Sequence, residues 1–391
     1  MLLFFVFIIC MSILVFSYRY ILTENIEIGK IKFASGIEGG NYDNFSNTML
    51  SHLNNSSLQN KKYLKKNTSG SVKNLKLVNS YRYNIGTSQE DLFYDSIKGV
   101  NSFKGKQKLE NIRFITAGYF EKVHFIVRKT NDNINSFKDI LESSYKNVIG
   151  VGEVGSGSEY NFIIMCLLNG VNPSKFPQEG EVISKKKKPT NENVVYKNGD
   201  INTLLNEFFR NEIQAIYLVM GSNNNYINNL VKRIAIKFID ISDNRALFID
   251  NSFNEYYYKK DIDLSDYYKD SEEQGKIPTF GIRMILFTND KTSDDVVYEI
   301  TKLFYQKNYE YRRNINSIDN TLFTNDYEPI DLAYSNELYK IHPGARKFYL
   351  ENNLISLNTK YNYDLEYYHD NVVKNYWDYP NIGIKSFNLK K

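Results

Sequence analysis

Residues 148–160 read VIGVGEVGSGSEY, an apolar stretch running straight into a glycine-rich turn. Gly150, Gly152 and Gly155 stand at the G-x-G-x-x-G spacing of a dinucleotide-binding turn. That reading requires an acidic residue about 20 positions further on, at the end of the next strand, to hold a ribose. The place falls at Gly170 and Val171, and Glu179 and Glu181 follow no strand pattern. No second nucleotide-binding half follows either, so no dinucleotide cofactor is expected. What remains is strand, glycine turn and helix, with two readings of the turn open. Backbone N–H groups at the helix N-terminus, flanked by the Ser156 and Ser158 hydroxyls, form a cradle for an anion such as a carboxylate. Alternatively, glycine supplies positive φ in a tight turn and Ser158 caps the helix. A serine nucleophile fails on spacing, because the elbow needs G-x-S-x-G and Val154 and Ser158 occupy the flanking places.

The same unit recurs outward from this turn. IEIGKIKFASG alternates like a strand and turns on glycine, and NYDNFSNTMLSHLNN follows with Tyr42, Phe45, Met49, Leu50 and Leu53 at helical spacing. SGSVKNLKLVNS opens another helix, YNIGTSQEDLFYDSIKG reads as a short strand leading to an N-capped helix, and NIRFITAGYFEKVHFIVRK supplies two apolar runs. NSFKDILESS is a short helix opened by Asn135 or Ser136, and EYNFIIMCLLNG is a helix closed by Gly170. INTLLNEFFRNEIQAIYLVMG is helix then strand, and TFGIRMILFTND is a strand. TSDDVVYEITKLFYQK is a helix capped by Thr292 or Ser293. Residues 250–275 form a polar, tyrosine-rich excursion. Strands alternating with helices predict an α/β fold with a mostly parallel sheet.

At 391 residues the chain fits two domains or one two-lobed unit. The formal charge is only +4, and the basic residues are scattered apart from Lys185–Lys188. That run lies among turn formers and reads as a solvated loop rather than a phosphate patch, so no nucleic-acid partner is expected. Cys10 and Cys166 are the two cysteines, and the four histidines form no ligand pair. Neither a disulfide framework nor a metal site is expected. His124 lies in the alternating run KVHFIVR and reads as a satisfied core histidine. No plausible nucleophile, base and metal combine, so an enzyme is not expected. MLLFFVFIICMSILVF at the N-terminus has the length of a signal-peptide core and is short for a membrane span. With no basic n-region and no A-x-A-like site, residues 1–17 read as an export signal or as an uncleaved anchor.

The order of these motifs resembles the TAXI-type solute-binding proteins of tripartite ATP-independent periplasmic (TRAP) transporters. FASGIEGGNYDNFSNTM is similar to the family's strand, glycine turn and Thr-Tyr-Tyr element, with Asn41, Tyr42 and Asp43 in those three places. SGSVKNLKLV resembles its Gly-Ser-x-x-Asn-Leu helix start, and TSQEDLFYDSIKG its Gln-x-Asp segment. YFEKVHFIVRK and NSFKDI follow in family order, and VGEVGSGSEYNFIIMCLLNGV is similar to the Gly-Ser-Gly-Thr loop and helix, with Ser158 in the Thr place. DDVVYEITKLFY and IHPGARKFYLENN resemble C-terminal landmarks of the family, the second read here as a structural corner. The likeness runs from about residue 26 to 355. It departs from the family at Asn41 and Asp43 and in the polar stretches near 185 and 260.

The resemblance implies a two-lobed periplasmic binding protein-like (type II) fold with the ligand cleft at the hinge. Residues 26–125 and 280–355 would form lobe 1 and 126–279 lobe 2, with 356–391 a C-terminal extension and hinges near 125 and 279. It further implies export to the periplasm and a TRAP permease as membrane partner, and a monomer is expected. The ligand would be a small organic anion, glutamate- or 2-oxoglutarate-like. By motif position the ligand-binding residues are Gly40, Asn41, Tyr42, Ser88, Gln89, Ser156, Gly157 and Ser158. Tyr42 either covers the ligand or packs the helix start. A competing expectation is a surface-exposed or membrane-tethered interaction protein that keeps the fold without transport.

Overall fold

The computed structural model describes residues 30–58, 60–100, 103, 108–176, 191–241, 257–268, 275–306 and 340–352. The apolar N-terminus with Cys10, the lysine run at 185–188 and the extension 356–391 lie outside the described residues. The chain opens as strand β1 (Lys30–Ala34), helix α1 (Asn41–Asn54), β2 (Lys62–Lys66), α2 (Ser71–Asn79), β3 (Ile85–Gln89) and α3 (Glu90–Lys98). The long β4 (Ile112–Arg128) follows, then α4 (Phe137–Leu141), β5 (Asn147–Gly150), α5 (Gly157–Leu168), β6 (Pro173–Lys175) and β7 (Asn191–Lys197). After α6 (Ile201–Phe209), β8 (Ala215–Met220), α7 (Asn225–Val231), β9 (Ile236–Phe238) and β10 (Tyr258–Asp263), the long β11 (Lys276–Asn289) returns. Helices α8 (Asp294–Gln306) and α9 (Pro343–Glu351) close the described fold.

One sheet runs β2-β1-β3-β11-β4-β8-β5-β7-β6, and its two halves repeat a plan. β1 lies parallel between β2 and β3, as β5 lies parallel between β7 and β8. Each trio is flanked by a long strand running the other way, β11 against β3 and β4 against β8. The sheet is therefore mixed rather than mostly parallel. The two apolar runs expected in 111–129 are one 17-residue strand, which pairs with β11 over its first part and with β8 over its last. β4 is buried along nearly its whole length, so its apolar residues follow no clean alternation. Part of the tyrosine-rich excursion forms β10, paired antiparallel with β11.

The local readings mostly hold. Ser136 opens α4 with a complete capping box, and Gly170 stands at φ +77° just past α5. Helix α3 starts without a side-chain cap. His124 is a core histidine: Tyr267 Oη lies 2.7 Å from its Nε2, and burial drives its pKa down to about 3.

Asp43, in the second-Tyr place, is structural. It accepts from the Gly39 amide at 3.0 Å, from the Asn67 side chain at 2.7 Å and from Lys65. Burial raises its pKa, but Lys65, Gly39 and Asn67 outweigh burial and hold it below the ordinary carboxylate range.

The HPGA segment is the corner that the sequence suggests. His342 caps α9 by accepting the Gly344 amide proton at Nδ1, so Nε2 carries its own proton to the Thr292 carbonyl 3.0 Å away. Gly344 lies against α8, where an added Cβ would stand 2.2 Å from the Asp294 carbonyl oxygen. Backbone cannot yield as a side chain can. Gly344→Ala is therefore expected to cost about 3 kcal/mol of stability, read as a fall in urea midpoint; an unchanged midpoint contradicts this packing.

Candidate ligand-binding site

The carboxyl ends of β1, β3, β5 and β8 each lead into a helix, and these four ends meet. In open α/β sheets this is where ligands bind. The Val72 amide of α2 donates to the Gly155 carbonyl at 3.3 Å, joining the first half of the sheet to the glycine turn of the second. The Asn224 side chain approaches Asn41 at 3.3 Å, and the Tyr226 hydroxyl donates to the Glu38 carbonyl at 2.5 Å. A Cβ placed on Gly157 would lie 2.2–2.3 Å from the Gln89 amide group, so Gln89 packs directly on the start of α5. Gln89 and Gly157, drawn from separate motifs, are thus brought face to face. Asn41 and Tyr42 sit at the start of α1, which Gly40 caps through its backbone.

The glycine turn is built as both readings foresee, with one difference. Gly152 and Gly155 both have φ near +81°, and it is Ser156, not Ser158, that caps α5, accepting from the Glu159 amide at 3.1 Å. Ser156 Oγ also donates to the Val151 carbonyl at 3.3 Å. The Glu159 carboxylate accepts from the Gly155 amide at 2.7 Å, so the chain places its own anion on part of the cradle. Ser158 Oγ accepts from the Val219 amide, and Ser88 Oγ donates to the Gln89 carbonyl at 3.0 Å. The serine hydroxyls are thus largely engaged within the protein.

Beneath the turn lies a polar set that the motif reading found only in part. Tyr42, Gln89, Tyr119 and Glu121 are each less than a tenth exposed. Tyr42 Oη, Gln89 Oε1 and Tyr119 Oη are buried without closing a hydrogen bond. Unsatisfied buried polar atoms are rare and costly, which makes this cluster the best place for a bound molecule. Ser71, at the start of α2, accepts from the Gln89 amide at 3.1 Å and stands beside the Tyr42 hydroxyl.

Burial pushes the Glu121 pKa up to about 8, with Asp91 adding to the rise and Tyr42 and Gln89 opposing it. Asp91 is raised to about 7, by burial first and then by the Asp95 charge, against the Tyr257 hydroxyl that donates to it at 2.9 Å. Tyr160 of α5 donates to Asp95, so α3 is tied to the second half of the sheet as well. The sequence reading placed Ser71 and Asp91 in family motifs but not in the site, and missed Tyr119, Glu121 and Asp95. A signal for Glu121 exists: it is the lone acid in the apolar run FITAGYFEKVHFIVR.

These shifts set a pH dependence. At pH 6.5 the folded protein still holds protons on Glu121 and Asp91 that the unfolded chain has released, and it gives them up as pH rises through about 7 to 8, so stability falls across that window. Buried His124 and His342, whose pKa values are lowered, act in the opposite sense only below that window. Thermal melting of the ligand-free protein at pH 6.5 and 8.5 checks it; equal or higher stability at 8.5 contradicts it.

The sequence matches the NMT1-like family over residues 33–352, and the chain belongs to that family. The fold is the α/β class expected from the sequence, one large sheet flanked by helices. Solved structures similar to it include the periplasmic binding protein BugD, at 11% identity and TM-score 0.47, covering 83% of this chain and 97% of that one. The Xanthomonas citri protein XAC2383 bound to ATP matches at 10% identity and TM-score 0.46, covering 82% and 98%. A binding protein component of an ABC phosphonate transporter from Pseudomonas aeruginosa matches at 11% and 0.43, covering 74% and 79%. At such identities and scores these likenesses carry no argument about what this chain binds. Among the described residues no group of His, Cys, Asp and Glu is arranged to hold a metal, and no helix is long and apolar enough to cross a membrane.

Proposed function

We propose that this protein is the extracytoplasmic solute-binding subunit of a TRAP transporter, non-enzymatic, capturing a small amino acid or dicarboxylate and delivering it to a membrane permease. The observation that carries the reading is the buried set of Tyr42, Gln89 and Tyr119, whose side-chain atoms lack partners where the carboxyl ends of the strands meet. A solute held there replaces water with fixed hydroxyl and amide groups. The ordered motifs in the sequence support the TRAP assignment. The site comprises Tyr42 and Gln89, with Gly40 and Asn41 shaping the first half and Ser156, Gly157 and Ser158 the facing turn; Ser88 supports it through the Gln89 carbonyl.

Lobe 1 takes the first half of the sheet and lobe 2 the second, with bending where β4 and β11 pass from one set of partners to the other. Residues 1–17 direct export to the periplasm or anchor the protein there. Asn41 and Asp43, the departures from the family pattern, have structural partners, so they do not favour the interaction-protein reading. The test is a thermal-shift panel of amino and dicarboxylic acids. One class is expected to raise the melting temperature in a saturable way, because a ligand that binds only the folded state stabilises it by mass action. No shift with any member contradicts the proposal.

A further inference from the structure

We infer that Glu121 is the specificity-determining residue of this site, selecting a solute that presents an ammonium group to its carboxylate and to Gln89 Oε1. The inference rests on the solute-binding reading above and narrows it. Four elements face the Glu121 carboxyl. Tyr42 comes from α1, Gln89 from β3 and Asp91 from α3, while Ile282 is its cross-strand neighbour on β11. Tyr119 stands two residues away on the same face of β4. The charges acting on Tyr42, Tyr119 and Glu121 are those of Glu121 and Asp91, and none among the described residues is a Lys or Arg.

A solute that carries carboxylates and no ammonium group would bring only negative charge beside Glu121 and Asp91, with no cation among the charges acting there to receive it. An ammonium group instead donates to the carboxylate and to the open Gln89 acceptor. The Tyr42 and Tyr119 hydroxyls remain as donors for the α-carboxylate of an amino acid. Asp91 is already engaged by the Tyr257 hydroxyl and Asp95 by Tyr160, whereas the Glu121 carboxyl faces the Tyr42 hydroxyl and the Gln89 amide, the same two side chains that hold open polar atoms for the solute.

The two solute classes predict opposite pH profiles. An ammonium needs ionised Glu121, so its binding releases a proton and strengthens as pH rises. A carboxylate is better met by the protonated acid and weakens as pH rises. The experiment is calorimetry on the full chain at pH 6.5, 7.25 and 8.0, with glutamate and 2-oxoglutarate as a pair differing at the amino carbon.

Glutamate is expected to bind at least tenfold more tightly, with affinity rising up to about tenfold per pH unit below the Glu121 pKa. Glu121→Gln should abolish both the preference and the slope while melting as a folded protein. Should that variant not fold, the wild-type slope decides. Equal or tighter binding of 2-oxoglutarate, or affinity that falls with pH, overturns the inference and leaves the solute-binding reading standing. Absence of binding or thermal shift with any amino, oxo or dicarboxylic acid removes both.

Discussion

Gly157→Val is expected to weaken solute capture by about a hundredfold or more while leaving the fold intact. The reason lies across the cleft. A Cβ at 157 would stand 2.2–2.3 Å from the Gln89 amide group, and Gln89 is only 2% exposed. A long exposed side chain could swing away, but this one is packed between β3 and the start of α5. The collision is between the two halves of the sheet rather than within one, so under the two-lobed proposal an opening of the halves relieves it at little cost to either. On that proposal a valine selects the open form, and apparent affinity falls by the fraction of closed form lost. A loss of about a hundredfold corresponds to about 2.7 kcal/mol, well within what such an overlap imposes. Calorimetry beside a thermal melt checks it. Wild-type affinity would show that closure does not bring Gln89 onto Gly157.

Asn74→Ala carries the largest expected loss of stability among the side-chain truncations considered, about 3 kcal/mol. Asn74 is fully buried, and its amide donates to the backbone carbonyls of Ser35 and, at 2.9 Å, Thr87. Its oxygen accepts from the Thr68 hydroxyl at 2.6 Å. One side chain thus ties the carboxyl end of β1 to that of β3 and to the loop before α2. Alanine removes all three bonds; the Thr68 hydroxyl, 2.9 Å from the Ser35 carbonyl, can still donate there, but the buried Thr87 carbonyl loses its side-chain donor where no water reaches it. Since the same strand ends carry Tyr42 and Gln89 into the site, solute affinity should fall as well. Thr68→Val, which removes one hydroxyl donor and the acceptor of the part-buried Gly70 amide, is the comparator, with an expected cost of about 1.5 kcal/mol. Urea titration of the two variants separates them; equal midpoints contradict the role given to Asn74.

Asn74 also shows how far the sequence could be read. The stretch SGSVKNLKLV was legible as a helix start, yet the reason for its asparagine is a contact 39 residues back with Ser35, which periodicity does not report. Local signals served well where local physics decides: the Ser136 capping box, the Gly170 stop, and the left-handed Gly152 and Gly155. They failed at β4, where burial on both faces erased the alternation that marks a strand, and at β10, whose KKDID exposes much of one face.

The candidate site divides in the same way. Gln89 and Gly157 were legible as motif positions, and the structure sets them against each other. The serine hydroxyls were legible as donors, but their partners within the protein were not: Ser158 receives the Val219 amide from 61 residues away. Glu121 went unread because an isolated acid in an apolar run gains meaning only when tertiary packing removes water from it, and Asp91, legible as the Asp of the Gln-x-Asp segment, carries no local sign that packing brings it near Glu121.

The most direct test of the account is native mass spectrometry of the gently purified full chain. The account predicts one small organic molecule carried with the protein, released on unfolding and lost from Gly157→Val. A chain that is empty, and that gains no mass when amino and dicarboxylic acids are supplied, contradicts the claim that the buried cluster at Tyr42, Gln89 and Glu121 is a solute site.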